Sequence, residues 1–233
     1  MKIMSFNTQH CLNYIERTID FNVMAEAILA CDADIVGLNE MRGKGADPEF
    51  DDQVKILSEL TGMSYYVFAP AIQVGNKGPY GNGFLSRIPI VKAETVMIPD
   101  PVIKKEGGRY ETRCVLKAEL EGGVTVLVTH MGLVSDERVN AVKTVLEHVT
   151  DSKCVLMGDF NMEPHDPILA PIYETMKDTA EKFDCPKLSS KSDNPKVKID
   201  YIFVSHDVEV VSADIPAIVA SDHRPHIANV KFL

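Results

Sequence analysis

The sequence predicts an α/β fold in which two packed β-sheets carry helices on their outer faces. Along the chain, short apolar runs typical of strands outnumber the segments with helical spacing. No internal repeat and no linker-like change of composition interrupts the 233 residues, so we expect a single domain over residues 1–233. The apolar fraction of 45% is ordinary for a globular chain that buries a core.

The first part of the chain alternates strands with helices. Phe21, Met24, Ala25 and Ile28 share one face at helical spacing, which predicts a helix over Asp20–Ala30. Glycine and proline predict a loop over Ile72–Asn82. The other elements predicted here are strands over Lys2–Phe6, Ile35–Leu38, Tyr65–Ala69, Gly83–Ser86 and Ile90–Ile98, and a second helix over Asp52–Leu60.

The second part is richer in strands. A Glu121-Gly122-Gly123 turn joins two β-type runs, Arg113–Leu120 and Val124–Thr129, and predicts a hairpin. An amphipathic helix follows over Asp136–Val149. The remaining predictions are loops over Pro99–Gly108 and Phe183–Lys198 and strands over Cys154–Met157, Ile199–Val204, Val208–Ala213 and Ile227–Phe232.

Charge and cysteine content narrow the class of protein. The net charge of −10 argues against a broad electrostatic surface for nucleic acid. The five cysteines are odd in number and form no CxxC pair, so we expect reduced thiols in the core rather than a zinc or disulfide framework. No signal-peptide-like or membrane-spanning apolar run occurs, and we expect a cytoplasmic protein of undetermined oligomeric state.

Polar side chains cluster where the apolar strands stop. Ligand sites of sheet proteins lie at strand ends, where a rigid scaffold presents side chains from several segments. Carboxylates and an amide are hard oxygen ligands suited to Mg²⁺ or Mn²⁺, and histidines titrate near neutral pH. A phosphate ester needs this combination of charge neutralisation, positioned water and proton donor. The clustered residues are Asn7, Glu40, His130, Asp159, Asn161, Asp200, Asp222 and His223.

Each of these residues also has a structural interpretation. Asn7 and Glu40 could serve turns or caps, and His130 could be a satisfied structural histidine. Asp159 and Asn161 could cap a helix and form an Asx turn. Asp200 lies between Ile199 and Tyr201, which predicts a half-buried carboxylate that needs a partner.

These same segments resemble the endonuclease/exonuclease/phosphatase superfamily, which includes deoxyribonuclease I. The resemblance runs from about Met1 to Leu233, and the Tyr80–Pro89 and Glu111–Arg113 segments also look like family segments. The motifs, in family order, are Ser-Phe-Asn7, Leu-Asn-Glu40, Thr-His130-Met-Gly-Leu, Gly-Asp159-Phe-Asn161, Ile-Asp200-Tyr-Ile and Ser-Asp222-His223-Arg-Pro.

The resemblance implies a four-layer α/β sandwich, with two mixed sheets flanked by helices, and a metal-dependent phosphoric ester hydrolase. It implies that Glu40 is the main ligand of Mg²⁺ or Mn²⁺, with Asn7 beside it and Asp222 nearby. Asp159 would orient or deprotonate the attacking water, and Asn161 and His130 would hold phosphate oxygens. His223 would form a dyad with Asp200. Asn82 and Arg113 are weaker candidates for the substrate side.

Departures from the family pattern favour a small or lipid-derived anionic substrate. The chain has no tryptophan, although the inositol-phosphate 5-phosphatases carry one before the aspartate that Asp200 matches. Abasic-site endonucleases usually have tyrosine where this chain has His130. A nuclease on DNA or RNA and a non-catalytic binding module of the same fold remain the alternatives. Basic side chains gather in loops near the predicted site, namely Lys77, Lys104, Lys105, Arg109, Lys187, Lys191, Lys196 and Lys198.

Overall fold

Two six-stranded β-sheets form the centre of the computed structural model, which describes residues 1–232. The predicted domain boundary at Leu233 lies outside the described residues. The first sheet has the order β11 (Val208–Asp214), β12 (His226–Phe232), β1 (Lys2–Asn7), β2 (Ile35–Arg42), β4 (Gly78–Ser86), β3 (Tyr65–Val74). The second has the order β5 (Ile90–Met97), β6 (Cys114–Leu120), β7 (Thr125–His130), β8 (Cys154–Asp159), β10 (Asp200–Val204), β9 (Lys177–Asp178).

Each sheet is mixed and has one parallel pair near its centre. Strands β1 and β2 run parallel, with Asn7 opposite Asn39. Strands β7 and β8 also run parallel, with His130 opposite Asp159. The other named strand pairs are antiparallel, including the predicted β6–β7 hairpin. The carboxyl ends of both parallel pairs carry most of the polar residues singled out from the sequence.

Helices cover the outer face of each sheet and complete four layers. The helices α1 (Phe21–Cys31) and α2 (Gln53–Thr61) share a buried cluster with the first sheet. The helices α3 (Ser135–Leu146) and α4 (Ala170–Thr175) do the same on the second sheet. A third cluster, with Ile3, Phe84 and Met157, fills the space between the sheets. The predicted four-layer α/β sandwich is confirmed.

The helix boundaries follow from local chemistry. The carboxylate of Asp20 accepts the backbone N–H groups of Asn22 and Val23, and the carboxylate of Asp52 accepts that of Lys55. These contacts satisfy donors that lack partners inside the helix. Left-handed residues, Asp32 and Gly62, follow the two helices and end them.

The predicted loop over Ile72–Asn82 is wrong. Strand β3 continues to Val74 and β4 begins at Gly78, so most of this segment is a hairpin. The glycines that suggested a loop permit close packing instead. A Cβ at Gly81 would lie 2.0 Å from the carbonyl oxygen of Ala69, and one at Gly78 would lie 2.6 Å from the Phe50 ring. Strand β2 also continues past the predicted end at Leu38, through an irregularity that contains Glu40.

Four of the five cysteines lie in the core as predicted, and the other two predicted loops are confirmed. All five cysteines are free, four of them are buried, and Cys185 is exposed. Neither Pro99–Gly108 nor Phe183–Lys198 forms a helix or an extended strand pair. Among the described helices, none has the length and apolar character needed to cross a membrane.

Candidate active site

Asp159 lies at the end of β8, where its backbone is held on two sides. Its N–H donates to Asn39 Oδ1 at 2.9 Å, across the gap between the sheets. The preceding residue, Gly158, has φ 145°, and a Cβ there would lie 1.8 Å from the carbonyl oxygen of Thr129. Only glycine fits this backbone, which is why the strand can deliver the Asp159 carboxylate to the sheet edge.

The two carboxylate oxygens of Asp159 have different surroundings. Oδ1 accepts the N–H of Asn161 at 2.9 Å and closes an Asx turn. Oδ2 accepts a hydrogen bond from Asn7 Nδ2 at 3.0 Å and lies 3.6 Å from His130 Nε2 and 3.7 Å from His223 Nε2. Both interpretations of the sequence therefore apply at once, because one oxygen closes the turn and the other faces three polar side chains.

Burial raises the pKa of Asp159 from 3.8 to about 7. The His223 charge lowers this pKa and the Asp200 charge raises it further. The side chain is only 2% exposed, so water offers its charge little stabilisation. A carboxyl group with this pKa can take up or release a proton at neutral pH.

Asp200 and His223 form a buried pair. His223 Nδ1 lies 2.8 Å from Asp200 Oδ2, and Asp200 is the first residue of β10. Burial lowers the pKa of His223, but the charges of Asp200 and Asp159 outweigh burial and raise it to about 10. His223 is therefore an imidazolium at neutral pH. Within the buried cluster of Asp159, Asp200 and His223, the Nδ1 atom of His223 is therefore engaged by Asp200.

His130 has the opposite electrostatic environment. Its Nδ1 lies 3.0 Å from Arg113 Nη1, and its Nε2 lies 3.1 Å from Asn161 Nδ2. Burial, followed by the charges of Arg113 and His223, holds the pKa of His130 well below 6.5. The site thus contains one charged and one neutral histidine, both within 3.7 Å of the same carboxylate oxygen.

Glu40 occupies the irregular part of β2 in a left-handed conformation, with φ 62°. Its Oε1 accepts a hydrogen bond from Asn7 Nδ2 at 3.1 Å, and its Oε2 lies 4.0 Å from His10 Nδ1. Burial raises the pKa of Glu40, the bond from Asn7 lowers it, and the Asp222 charge raises it. Two acidic groups thus lie close enough to repel each other at one end of the site.

Asn7 joins the two acidic parts of the site. Its Nδ2 bonds both Glu40 and Asp159, while its Oδ1 accepts the N–H of Gln9 at 3.0 Å. In this orientation the amide presents nitrogen to the carboxylates. Its oxygen would face a cation only after the amide rotates by half a turn.

Asn82 and Arg113, the two candidates for the substrate side, contact different parts of this array. Asn82 is 3% exposed, accepts from Asn39 Nδ2 at 2.9 Å and donates to the Cys114 carbonyl at 2.9 Å. It therefore lies behind the site. Arg113 contacts His130 directly and pairs with Glu111 Oε1 at 2.8 Å. The substrate roles of both residues stay predictions.

Asn39 and His10 are parts of the site that sequence reasoning missed. The Asn39 amide bonds Asn82 Oδ1, the Thr129 carbonyl and the Asp159 N–H, and so links the two sheets. A buried amide at the end of an apolar strand was the available signal. His10 lies beside Glu40 in a left-handed segment, and burial followed by Arg42 and Arg17 lowers its pKa to about 4. No sequence pattern indicates this contact.

Four of the eight basic side chains in these loops are paired with nearby carboxylates. Lys187 Nζ lies 2.7 Å from Asp214 Oδ1. Lys198 is buried and pairs with Asp178 at 3.4 Å. Lys77 and Lys104 pair with Asp47 and Asp100 at 3.5 and 3.1 Å. These pairs reduce the positive charge available to a long polyanion.

Several solved structures share this fold over the whole chain. An endonuclease/exonuclease/phosphatase from Beutenbergia cavernae is 23% identical, with a TM-score of 0.84 over 100% of this chain and 71% of that one. A mannosyl-6-phosphatase from Bacteroides thetaiotaomicron is 19% identical, with a TM-score of 0.77 over 100% of both chains. A truncated Caenorhabditis elegans TDP2 is 17% identical, with a TM-score of 0.63 over 100% of this chain and 97% of that one.

No curated protein matches the sequence. A family profile described as Endonuclease/Exonuclease/phosphatase family matches residues 4–223, which confirms the resemblance carried by the motifs. The chain belongs to the endonuclease/exonuclease/phosphatase family.

Proposed function

We propose that this protein hydrolyses a phosphate ester by attack of an activated water. The arrangement around Asp159 Oδ2 carries the proposal, since a carboxyl group with pKa about 7 faces a neutral and a charged histidine at 3.6 and 3.7 Å. A proton acceptor and two donors of different charge converge on one point. Phosphoester hydrolysis needs such a set to activate water and to stabilise the charge on phosphate oxygens.

The roles follow from the protonation states. Asp159 orients the water and takes its proton, because its pKa of about 7 suits proton transfer at neutral pH. His223, held by Asp200 at 2.8 Å, is the cationic donor to the phosphate or to the leaving oxygen. His130 and Asn161 hold phosphate oxygens through N–H groups.

We assign Glu40, Asn7 and Asp222 as the residues that would hold Mg²⁺ or Mn²⁺. The donor chemistry fits, because carboxylate and amide oxygens suit these ions and the mutual repulsion of Glu40 and Asp222 would be relieved by a cation. When bound, the ion would neutralise charge on the substrate phosphate and lower the pKa of a bound water. Rotation of the Asn7 amide would supply its oxygen.

The charge distribution supports a small or lipid-derived anionic substrate rather than a long nucleic acid. The net charge is −10, and four of the loop lysines pair with neighbouring carboxylates. One structural neighbour is a mannosyl-6-phosphatase, which acts on a small phosphorylated sugar by its name. The free cysteines support the cytoplasmic location proposed from the sequence.

A substrate screen tests the proposal. Purified protein is assayed with Mg²⁺ or Mn²⁺ against phosphomonoesters, phosphodiesters, phospholipids, plasmid DNA and RNA oligonucleotides. Asp159→Asn is the inactive variant, and Asp151→Asn, on the exposed surface, is its matched control. We expect turnover of a low-molecular-weight or lipid phosphate that Asp159→Asn abolishes and Asp151→Asn preserves.

Two other outcomes identify the alternatives. Cleavage of plasmid or oligonucleotide at rates well above those of the small esters would identify a nuclease. Tight binding without turnover of any phosphate ester would identify a binding module of the same fold.

A further inference from the structure

We infer that Arg113 is a positioning residue that fixes His130 as the neutral tautomer with its proton on Nε2. In this state His130 and Asn161 together form a two-donor cradle for a single oxygen atom. The identity of that oxygen as a phosphate oxygen rests on the proposed function. The tautomer itself does not, because it follows from contacts within the protein.

The ring of His130 lies between two hydrogen-bond donors. Arg113 Nη1 is 3.0 Å from Nδ1, and Asn161 Nδ2 is 3.1 Å from Nε2. A neutral imidazole has one donor and one acceptor nitrogen, so only one of these contacts can be a hydrogen bond to the ring. The amide of Asn161 cannot reverse without loss, because Nδ2 also donates to the Met131 carbonyl at 2.9 Å.

Arg113 decides which nitrogen accepts. A guanidinium is a donor in every orientation and stays charged at all relevant pH values, whereas the amide is a neutral donor. Hydrogen bonds from a charged donor are roughly twice as strong as those from a neutral one. Glu111 holds the guanidinium in place at 2.8 Å, and the Arg113 side chain is only 13% exposed. Nδ1 therefore accepts from Arg113, and the ring proton lies on Nε2.

The Nε2–H then points to a place that lacks an acceptor within the described residues. Asp159 Oδ2, at 3.6 Å, is too distant for a hydrogen bond. The second hydrogen of Asn161 Nδ2 faces the same region from 3.1 Å away. Two adjacent donors without a shared acceptor repel each other until an oxygen atom accepts from both. This crowding favours an anionic ligand oxygen between them.

The two histidines of the site are thus distinguished by their partners at Nδ1. A carboxylate, Asp200, faces Nδ1 of His223, whereas a guanidinium, Arg113, faces Nδ1 of His130. Opposite partners give Nδ1 opposite roles, since it donates to Asp200 in His223 and accepts from Arg113 in His130. Arg113 acts through His130 and need not contact the substrate to affect the reaction.

Nitrogen NMR of the histidine side chains tests the inference on the intact protein in chelator. Two-bond ¹⁵N–¹H correlations distinguish the Nε2–H from the Nδ1–H tautomer, and loss of a signal set in His130→Gln assigns His130. We expect the Nε2–H pattern in the wild type. Asn161→Ala should keep this pattern, because Arg113 remains. Arg113→Met should switch it to Nδ1–H, because the Asn161 amide becomes the remaining donor.

Arg87→Met is the matched control, since Arg87 pairs with Asp32 on the surface and should leave the His130 signals unchanged. An Nδ1–H pattern in the wild type would overturn the inference, and this result does not require any variant to fold. An unchanged Nε2–H pattern in a folded Arg113→Met protein would overturn it as well.

Inorganic phosphate serves as the probe of the cradle. Its addition should shift the His130 Nε2–H signal in the wild type, and its affinity should fall about tenfold or more in Asn161→Ala and in Arg113→Met. Equal phosphate affinity in all three proteins would refute the cradle. If the tautomers are as expected but no phosphate ester is hydrolysed, the proposed function fails and the assignment of Arg113 stands.

Discussion

Replacing Asp159 with Asn should stabilise the fold above neutral pH while it removes most of the activity. The pKa of Asp159 rises from 3.8 to about 7 on folding, chiefly through burial. Between these values the folded protein holds a proton that the unfolded chain has released, so this group lowers stability as the pH rises from about 4 to 7. At about 1.4 kcal/mol per pKa unit, the full cost above pH 7 is ~4 kcal/mol.

The stability that Asp159→Asn gains is smaller than this cost, because the same carboxylate also stabilises the charged form of His223. The pKa of His223 rises from 6.5 to about 10, so its contribution is complete below pH 6.5 and is lost as the pH rises through 10. At pH 8 the charged imidazole contributes ~3 kcal/mol, of which Asp159 supplies a part. The Asn7 amide must also rotate to face the new amide. We therefore expect a net stabilisation of about 2 kcal/mol at pH 8.

Urea unfolding of wild type, Asp159→Asn and the surface control Asp151→Asn, all in EDTA, measures this difference near pH 4, 6 and 8. A gain of about 2 kcal/mol corresponds to a rise of about 4–8 °C in melting temperature for a chain of this size. The gain should vanish near pH 4, where the wild-type carboxyl is protonated. The kcat should fall by about 10²–10⁴ because the proton acceptor is lost.

Two results would refute the reasoning. A variant less stable than wild type at pH 8 would show that Asp159 does not carry the cost of burial. A stability difference that is the same at all three pH values would show that the carboxyl does not titrate as its environment predicts.

Three further outcomes are expected. EDTA should abolish activity, Mg²⁺ or Mn²⁺ should restore it, and Glu40→Gln should weaken Mn²⁺ binding at least tenfold by calorimetry; full activity in chelator would contradict the assignment. Asp200→Asn and His223→Ala should each lower kcat by about 10²–10⁴. The double variant should be no less active than His223→Ala, because the pair of side chains joined at 2.8 Å acts as a unit. Defects that multiply as if independent would argue against the pair. Gly158→Ala should lower unfolding free energy by at least about 3 kcal/mol, since its Cβ would lie 1.8 Å from the Thr129 carbonyl oxygen; a wild-type melting temperature would contradict the strain argument.

Much of the fold could be predicted because the local patterns agree with the tertiary structure. The apolar runs before Asn7 and Asp159 are the strands β1 and β8, and helical spacing marks α1 and α2. The placement of Asp222 and His223 at a strand end was wrong, because the apolar residues before them lie in the irregular segment between β11 and β12. The β3–β4 hairpin could not be predicted, because glycine has the same local signal in a loop and in a strand pair that packs tightly. At Gly78 and Gly81 only the neighbouring Phe50 ring and Ala69 carbonyl show which applies.

The types of residue in the site could be predicted better than their partners. Asp200 required a partner because it begins an apolar strand, and that partner is His223. Nothing in the sequence indicates that Arg113 faces Nδ1 of His130 or that Asn39 bonds the backbone of Asp159. These contacts depend on how two sheets meet, which local propensity does not determine.

The amides of Asn39 and Asn82 bridge the gap between the sheets, through bonds to the Thr129 and Cys114 carbonyls. This bridge makes the side chains around Asp159 part of the sheet scaffold, and the surrounding loops are attached to that scaffold. Tyr110 connects the loop over Pro99–Gly108 to Asp136, and Ser192 connects the loop over Phe183–Lys198 to Asp222. The two loops therefore differ, because the first is tied to Asp136, outside the site, whereas the second is tied to Asp222, which we propose as a metal ligand. Exchange of the Pro99–Gly108 loop between relatives should therefore change substrate preference while the array around Asp159 is kept, whereas exchange of the Phe183–Lys198 loop should alter the array as well.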